Sequence, residues 1–277
     1  MTSRVYVVSY GLTTGLAHGA EENWSRLRAG HSSVAPITRF PVDHLPVQIA
    51  STIEYPDAKD TASRSLRLAR EVASEAVTKT PAIAPFLPKA RLLLATAKPQ
   101  REWPLAMEAI LRTDRDGYYK SIQGESVSLF GRELSKQLHT SGIWDNLDTA
   151  CASAATAVQL AWEMIRDEVI EVAVVVGAEA SVFEEQIVRF ALLSALSRRN
   201  AAPSKASRPF NADRDGFVMG EAGGCLVLCS ERVVDRSGLC PVAEVAGCGD
   251  ATDNHHMTRS SPDAHAPAAA MRKALSV

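Results

Sequence analysis

Residues 143–176 read IWDNLDTACASAATAVQLAWEMIRDEVIEVAVVV, and their pattern decides the fold. Ile143 to Leu147 has the character of a short strand. Asp148-Thr149-Ala150 then leads into an alanine-rich segment, predicted helical from about Cys151 to Arg166. Val172 to Val176 is a continuous apolar run, β-branched except at Ala173, typical of a strand covered on both faces. Strand, helix and covered strand in succession predict an α/β layered fold.

The segments to either side extend this pattern. Arg4 to Ser9 reads as a buried strand, followed by Gly11, Gly15 and Gly19 and an amphipathic helix around Glu21 to Leu27. These glycines are spaced GxxxGxxxG rather than GxGxxG, so they do not make a dinucleotide fingerprint. Segment 31–60 is rich in Pro, Ser and Asp and reads as irregular or edge structure. Thr61 to Val77 carries Leu66, Leu68, Val72 and Ala76 at helical spacing, with Arg64, Arg67 and Arg70 interleaved. Arg91 to Ala97 is a second buried strand, and 98–142 is mixed and helical in parts. Phe190 to Leu196 reads as helix. Gly223 to Cys229 and Val242 to Gly247 read as further strands.

Composition bounds the function. The 277 residues are 46% hydrophobic and 22% charged, with a formal net charge of −2. That is ordinary globular composition, with no global basic surface for nucleic acid. No apolar run approaches the roughly 20 residues of a membrane helix. The first residues read as a strand rather than a signal peptide. Five widely spread cysteines, an odd number without CxxC spacing, argue against a disulfide framework or a zinc site. A reducing cytoplasm is the expected compartment.

Cys151 is the candidate reacting group. It lies between a strand and a helix, where unpaired backbone N–H groups and the helix dipole favour an anion. A thiolate is the nucleophilic form of cysteine, and the small neighbours Ala150, Ala152 and Ser153 leave room for a substrate. The pattern alone leaves a second reading open, a buried inert cysteine in a tightly packed helix. Asn211, Asp213, Asp215 and Gly216 mimic four positions of a calcium loop, but Ala222 stands where a bidentate acid is needed. The expectation there is an acid–base turn, with Arg214 and Glu221 in internal ion pairs. His255, His256 and His265, with Cys248 nearby, lack ligand-like spacing, and no metal is expected.

At these motifs the chain resembles the β-ketoacyl-acyl carrier protein synthases. DTACASAA resembles the family's nucleophile segment. RFALLSALSRRN followed by RPFNADRDGFVMGEAGGCLVL resembles the segment that comes after it, in the right order and separation. The opening RVYVVSYGLTTG and the later DATDNHHMT resemble further landmarks. One departure is GEAGG at Gly220 to Gly224, where the family usually reads GEGAG.

The resemblance implies a thiolase-like layered α/β fold of two similar halves. The N-terminal domain would span 1–235, and 236–277 would open a second half that is cut short at Val277. It implies an acyltransferase without a cofactor, in which Cys151 accepts an acyl group before decarboxylative condensation with a malonyl unit. The family's two catalytic histidines belong to the second half, and the 277 residues contain no such motif, so the chain alone is expected to be acylated but not to condense. The implied partner is an acyl carrier protein, loaded with acyl or malonyl groups through phosphopantetheine. A homodimer or a complementing synthase chain is also implied. Phe190 matches an acyl-pocket position, with an ordinary core aromatic as the other reading. Lys59, Arg64, Arg67, Arg198 and Arg199 are candidates for docking the acidic carrier, with solvated surface charge as the other reading. Two readings compete with the enzyme: a non-catalytic partner subunit of the chain-length-factor type, against which Cys151 speaks, and an inactive remnant.

Overall fold

A computed structural model of the chain describes residues 3–55, 64–96, 127–256 and 259–276. Among them, seven strands form one sheet in the order β2-β1-β8-β7-β5-β6, with β9 pairing β1. The strands are β1 (Val5–Thr14), β2 (Ala17–His18), β5 (Arg91–Ala95), β6 (Trp144–Asn146), β7 (Val172–Glu179), β8 (Ala222–Ser230) and β9 (Ala243–Glu244). A two-stranded ribbon, β3 (Val34–Pro36) with β4 (Ile49–Ser51), lies apart. β5, β6 and β7 run parallel, while β8 is antiparallel to both β7 and β1.

Helices cover both faces of the sheet. α2 (Arg64–Lys79) and α3 (Val127–Leu138) lie on one side, and α4 (Ser153–Arg166) lies on the other. The two-residue period of a strand divides the side chains between them. Leu92 and Leu94, Val172, Val174 and Val176, and Cys225, Val227 and Cys229 join the α2 core. Leu93 and Ala95, Ala173 and Val175, and Leu228 join the α4 core. From α4, Ala157, Ala161 and Ile165 enter that core at helical spacing. From α3, Phe130, Leu134 and Leu138 enter the other.

α2 lies against β1 at one close approach. A Cβ on Gly11 would fall 2.1 Å from the Val72 carbonyl oxygen, so this contact admits glycine alone. The first strand therefore runs straight through Gly11 to Thr14, past the expected end at Ser9. α1 (Ala20–Arg28) follows. Two further expectations need correction. The helix near Phe190 is α5 (Glu184–Leu192), which begins earlier and stops where Ser194 takes a left-handed φ of 53°. Leu196 instead bridges to Phe217. Only Ala243–Glu244 of the expected 242–247 strand pairs regularly, although Val242 and Val245 each donate a hydrogen bond to β1. The expected mixed segment 98–142 falls partly outside the described residues. α6 (Glu231–Ser237) and α7 (His265–Leu275) are further helices among the described residues, with 3₁₀ helices at Pro81–Lys89 and Pro203–Lys205.

Glu75 ties α2 to the first strand and helix. Its carboxylate accepts from the backbone N–H of Leu12 and of Ala20, both at 2.8 Å, and from Lys79 at 2.6 Å. Partial burial opposes ionisation, but the bonds from Lys79, Ala20 and Leu12 together hold its pKa below the ordinary value. A depressed carboxylate contributes stability that is present above its unfolded pKa and is lost as pH falls through its folded pKa. Glu75→Gln should therefore be less stable than wild type at pH 7, with the gap closing below about pH 4. Urea unfolding across pH checks this, and a gap independent of pH would contradict it.

Candidate active site

The three parallel strands end at one edge of the sheet, and Cys151 sits in the chain that leaves β6 there. Leu147 N–H still bonds the Leu94 carbonyl at 2.8 Å, holding that chain beside β5. Ala150–Ala152 forms a single 3₁₀ turn, and α4 starts at Ser153. Cys151 is thus exposed just ahead of a 14-residue helix whose dipole points its positive end at the turn. Open α/β sheets place reacting groups at this edge.

Side chains hold the turn. Asp148 accepts from Ala150 N–H at 3.3 Å, and the hydroxyls of Thr149 and Thr156 lie 2.8 Å apart. Ser153 Oγ accepts from Thr149 N–H at 2.9 Å and donates to the Ala150 carbonyl at 2.7 Å. Ala150 itself has φ of 52°, in the left-handed region that disfavours a residue with a Cβ. The other cysteines differ in setting. Cys225 and Cys229 are buried in the sheet, and burial raises both thiols, that of Cys229 to about 12. Half-buried Cys248 is raised the same way.

The remaining predicted residues are placed elsewhere. Phe190, half-buried on α5, meets Phe217 edge to face with ring centres 5.5 Å apart. It belongs to a third apolar cluster with Ile187, Leu196 and Met219, separate from the core beneath Cys151. Arg64 and Arg67 come together over the Tyr55 ring, 5.2 and 4.1 Å from its centre. Arg198 is exposed, while Arg199 pairs with Asp213 at 2.9 Å. Lys59 lies outside the described residues. Among the described residues no group of acidic, histidine and cysteine side chains could hold a metal ion, and no helix is long and apolar enough to cross a membrane.

The acid–base turn also takes a different form from the expected one. Glu221 is buried and ion-paired, but its partners are Arg39 at 2.6 Å and Arg64 at 3.2 Å. Ile53 N–H adds a bond at 2.9 Å. Arg214 instead donates to the Asn211 carbonyl, and Arg208 holds Asp213 and Asp215. Sequence reasoning missed Arg39, which lies 182 positions from Glu221 and carries no local signal. Arg64, a docking candidate by sequence, has its guanidinium turned inward to Glu221 and the Ile53 carbonyl.

The β-ketoacyl synthase, N-terminal domain family model matches residues 2–233. The chain is 30% identical to 3-oxoacyl-[acyl-carrier-protein] synthase 2 of Rhizobium meliloti (strain 1021), over 98% of this chain and 70% of the relative. Its fold matches the ishigamide ketosynthase/chain length factor with a TM-score of 0.86 at 24% identity, over 99% of this chain and 70% of the other. It also matches a type II polyketide ketosynthase, bound to the hexaketide and in complex with its acyl-carrier protein. There the TM-score is 0.83 at 23% identity, over 99% of this chain and 70% of that one. Glu221, at the end of the GE motif, joins three segments far apart in the chain, and removing one partner of a buried ion cluster is costly. Glu221→Gln should lose about 3–5 kcal/mol of stability in urea unfolding, and a loss within 1 kcal/mol would contradict the role given to this cluster. The two long motifs, the fold and the matched family model agree, and the chain belongs to the β-ketoacyl synthase family.

Proposed function

We propose that this chain carries the acyl-accepting part of a 3-oxoacyl-[acyl-carrier-protein] synthase, with Cys151 as nucleophile. The observation that carries the reading is the exposed Cys151 at the C-terminal edge of three parallel strands, one turn ahead of α4. The Cys151 thiolate attacks the carbonyl carbon of a carrier-bound thioester. The carbonyl oxygen becomes an oxyanion, and the Cys151 backbone N–H is one donor for it. Collapse expels the carrier's thiolate and leaves the acyl group on Cys151. In the family's second stage a malonyl unit loses carbon dioxide and its carbanion attacks that new thioester. The family's histidines for that stage have no counterpart motif in residues 1–277, so the reading for these residues by themselves is acyl transfer.

The partner in this reading is an acyl carrier protein. Supporting it is the carrier named in one structural relative. Exposed Arg198, with Arg67 and Arg199 at partly paired positions, supplies positive charge for an acidic carrier. The Phe190–Phe217 pair is the acyl-pocket candidate. The domain division near 235 belongs to the same reading and agrees with the family match ending at 233. The reading also includes a homodimer and a reducing cytoplasm, which would keep Cys151 a free thiol.

The test is intact mass after incubation with an acyl-carrier thioester. The expected result is a gain of one acyl group, absent from Cys151→Ala. No adduct on folded chain would overturn the reading and favour a non-catalytic partner subunit.

A further inference from the structure

We infer that Ser153 is a positioning residue for Cys151, its hydroxyl fixing the turn that presents the sulfur. This rests on Cys151 being the acyl acceptor. Three observations converge on the side chain. Ser153 is the first residue of α4 and is buried, at 7% exposure, although its neighbours Cys151 and Ala152 are exposed. Its oxygen does not cap the helix forwards. It reaches back and uses both its accepting and donating capacity on the peptide groups just before Cys151, those of Thr149 and Ala150. Between those two bonds lies Ala150 at φ of 52°, a conformation that a non-glycine residue holds only where its surroundings enforce it.

The physical consequence follows from the geometry. The hydroxyl clamps the residue before the nucleophile from both sides, so the Cys151 N–H and Cα–Cβ directions are set before substrate arrives. Without it, Thr149 N–H loses its partner, the Ala150 carbonyl keeps only the backbone N–H of residue 153, and Ala150 is free to relax to negative φ. That rotation swings the following peptide, which carries the Cys151 N–H. Displacements of this kind degrade a prearranged reacting geometry steeply.

The experiment measures two rates on Cys151: carboxymethylation by iodoacetate and acyl transfer from an acyl-carrier thioester. Exposed Cys240 serves as the internal control for alkylation. Ser153→Ala should lower both Cys151 rates about tenfold or more and leave the Cys240 rate unchanged. Ser153→Thr, which keeps the hydroxyl, should recover most of the loss. If Ser153→Ala is too unstable to assay, the comparison moves to an Ala150→Gly background, where glycine takes positive φ without strain. There too the alanine substitution should lower both rates, because Thr149 N–H remains without its partner and the Ala150 carbonyl has one donor instead of two. Rates for Ser153→Ala within about twofold of its parent would overturn the inference, as would failure of threonine to recover them. If the parent is alkylated but never acylated, the acyl-acceptor reading fails, and the alkylation rates still decide the positioning role.

Discussion

The fold depends on one constraint, the strict alternation of side chains along β5, β7 and β8 between two helical layers. Leu92 and Leu94 face α2, while Leu93 and Ala95 face α4. A slip of one residue would exchange the two sets and break both cores. Because α4 is held by Ala157, Ala161 and Ile165 against Leu93, Val175 and Leu228, its first turn has a fixed place above the sheet edge. Cys151 inherits that place. Cys151, the proposed nucleophile, is therefore positioned by apolar packing in its long-range coordinates and by Ser153, Asp148 and Thr149 in its local ones.

Two carboxylates tie the parts that this packing leaves loose. Glu75 satisfies backbone N–H groups of β1 and α1 from within α2. Glu221 draws Arg39 from beside the β3–β4 ribbon and Arg64 from the start of α2 to the start of β8. Both bind backbone as well as cations, which offsets the cost of taking a charge out of water. Both are structural, and Glu221 accounts for the acidic residue of the GEAGG motif.

Much of this was legible in sequence because it is local. Val172 to Val176 reads as a covered strand and is one, and the alanine-rich stretch after Cys151 is a helix. The motifs around Cys151 and Arg208 to Leu228 carried the family. What stayed hidden was non-local or countered by local propensity. The apolar spacing of Phe190 to Leu196 mimics a helix, but the acidic pair Glu184 and Glu185 was the better signal for the true N-terminus of α5. Arg64 sits on a helix face that reads as exposed, yet its charge is spent on a carboxylate 157 positions away. The left-handed Ala150 gives no sign, because a turn of that kind ordinarily announces itself with glycine or asparagine.

The proposed role of Cys151 requires a fold that activates its sulfur rather than merely exposing it. The most direct test is the rate of Cys151 carboxymethylation at pH 7 in native chain against the same chain unfolded in urea, read residue by residue by mass spectrometry. Cys151 should react several-fold faster when folded, since the helix dipole exists only then. A native rate equal to or below the unfolded rate would contradict it.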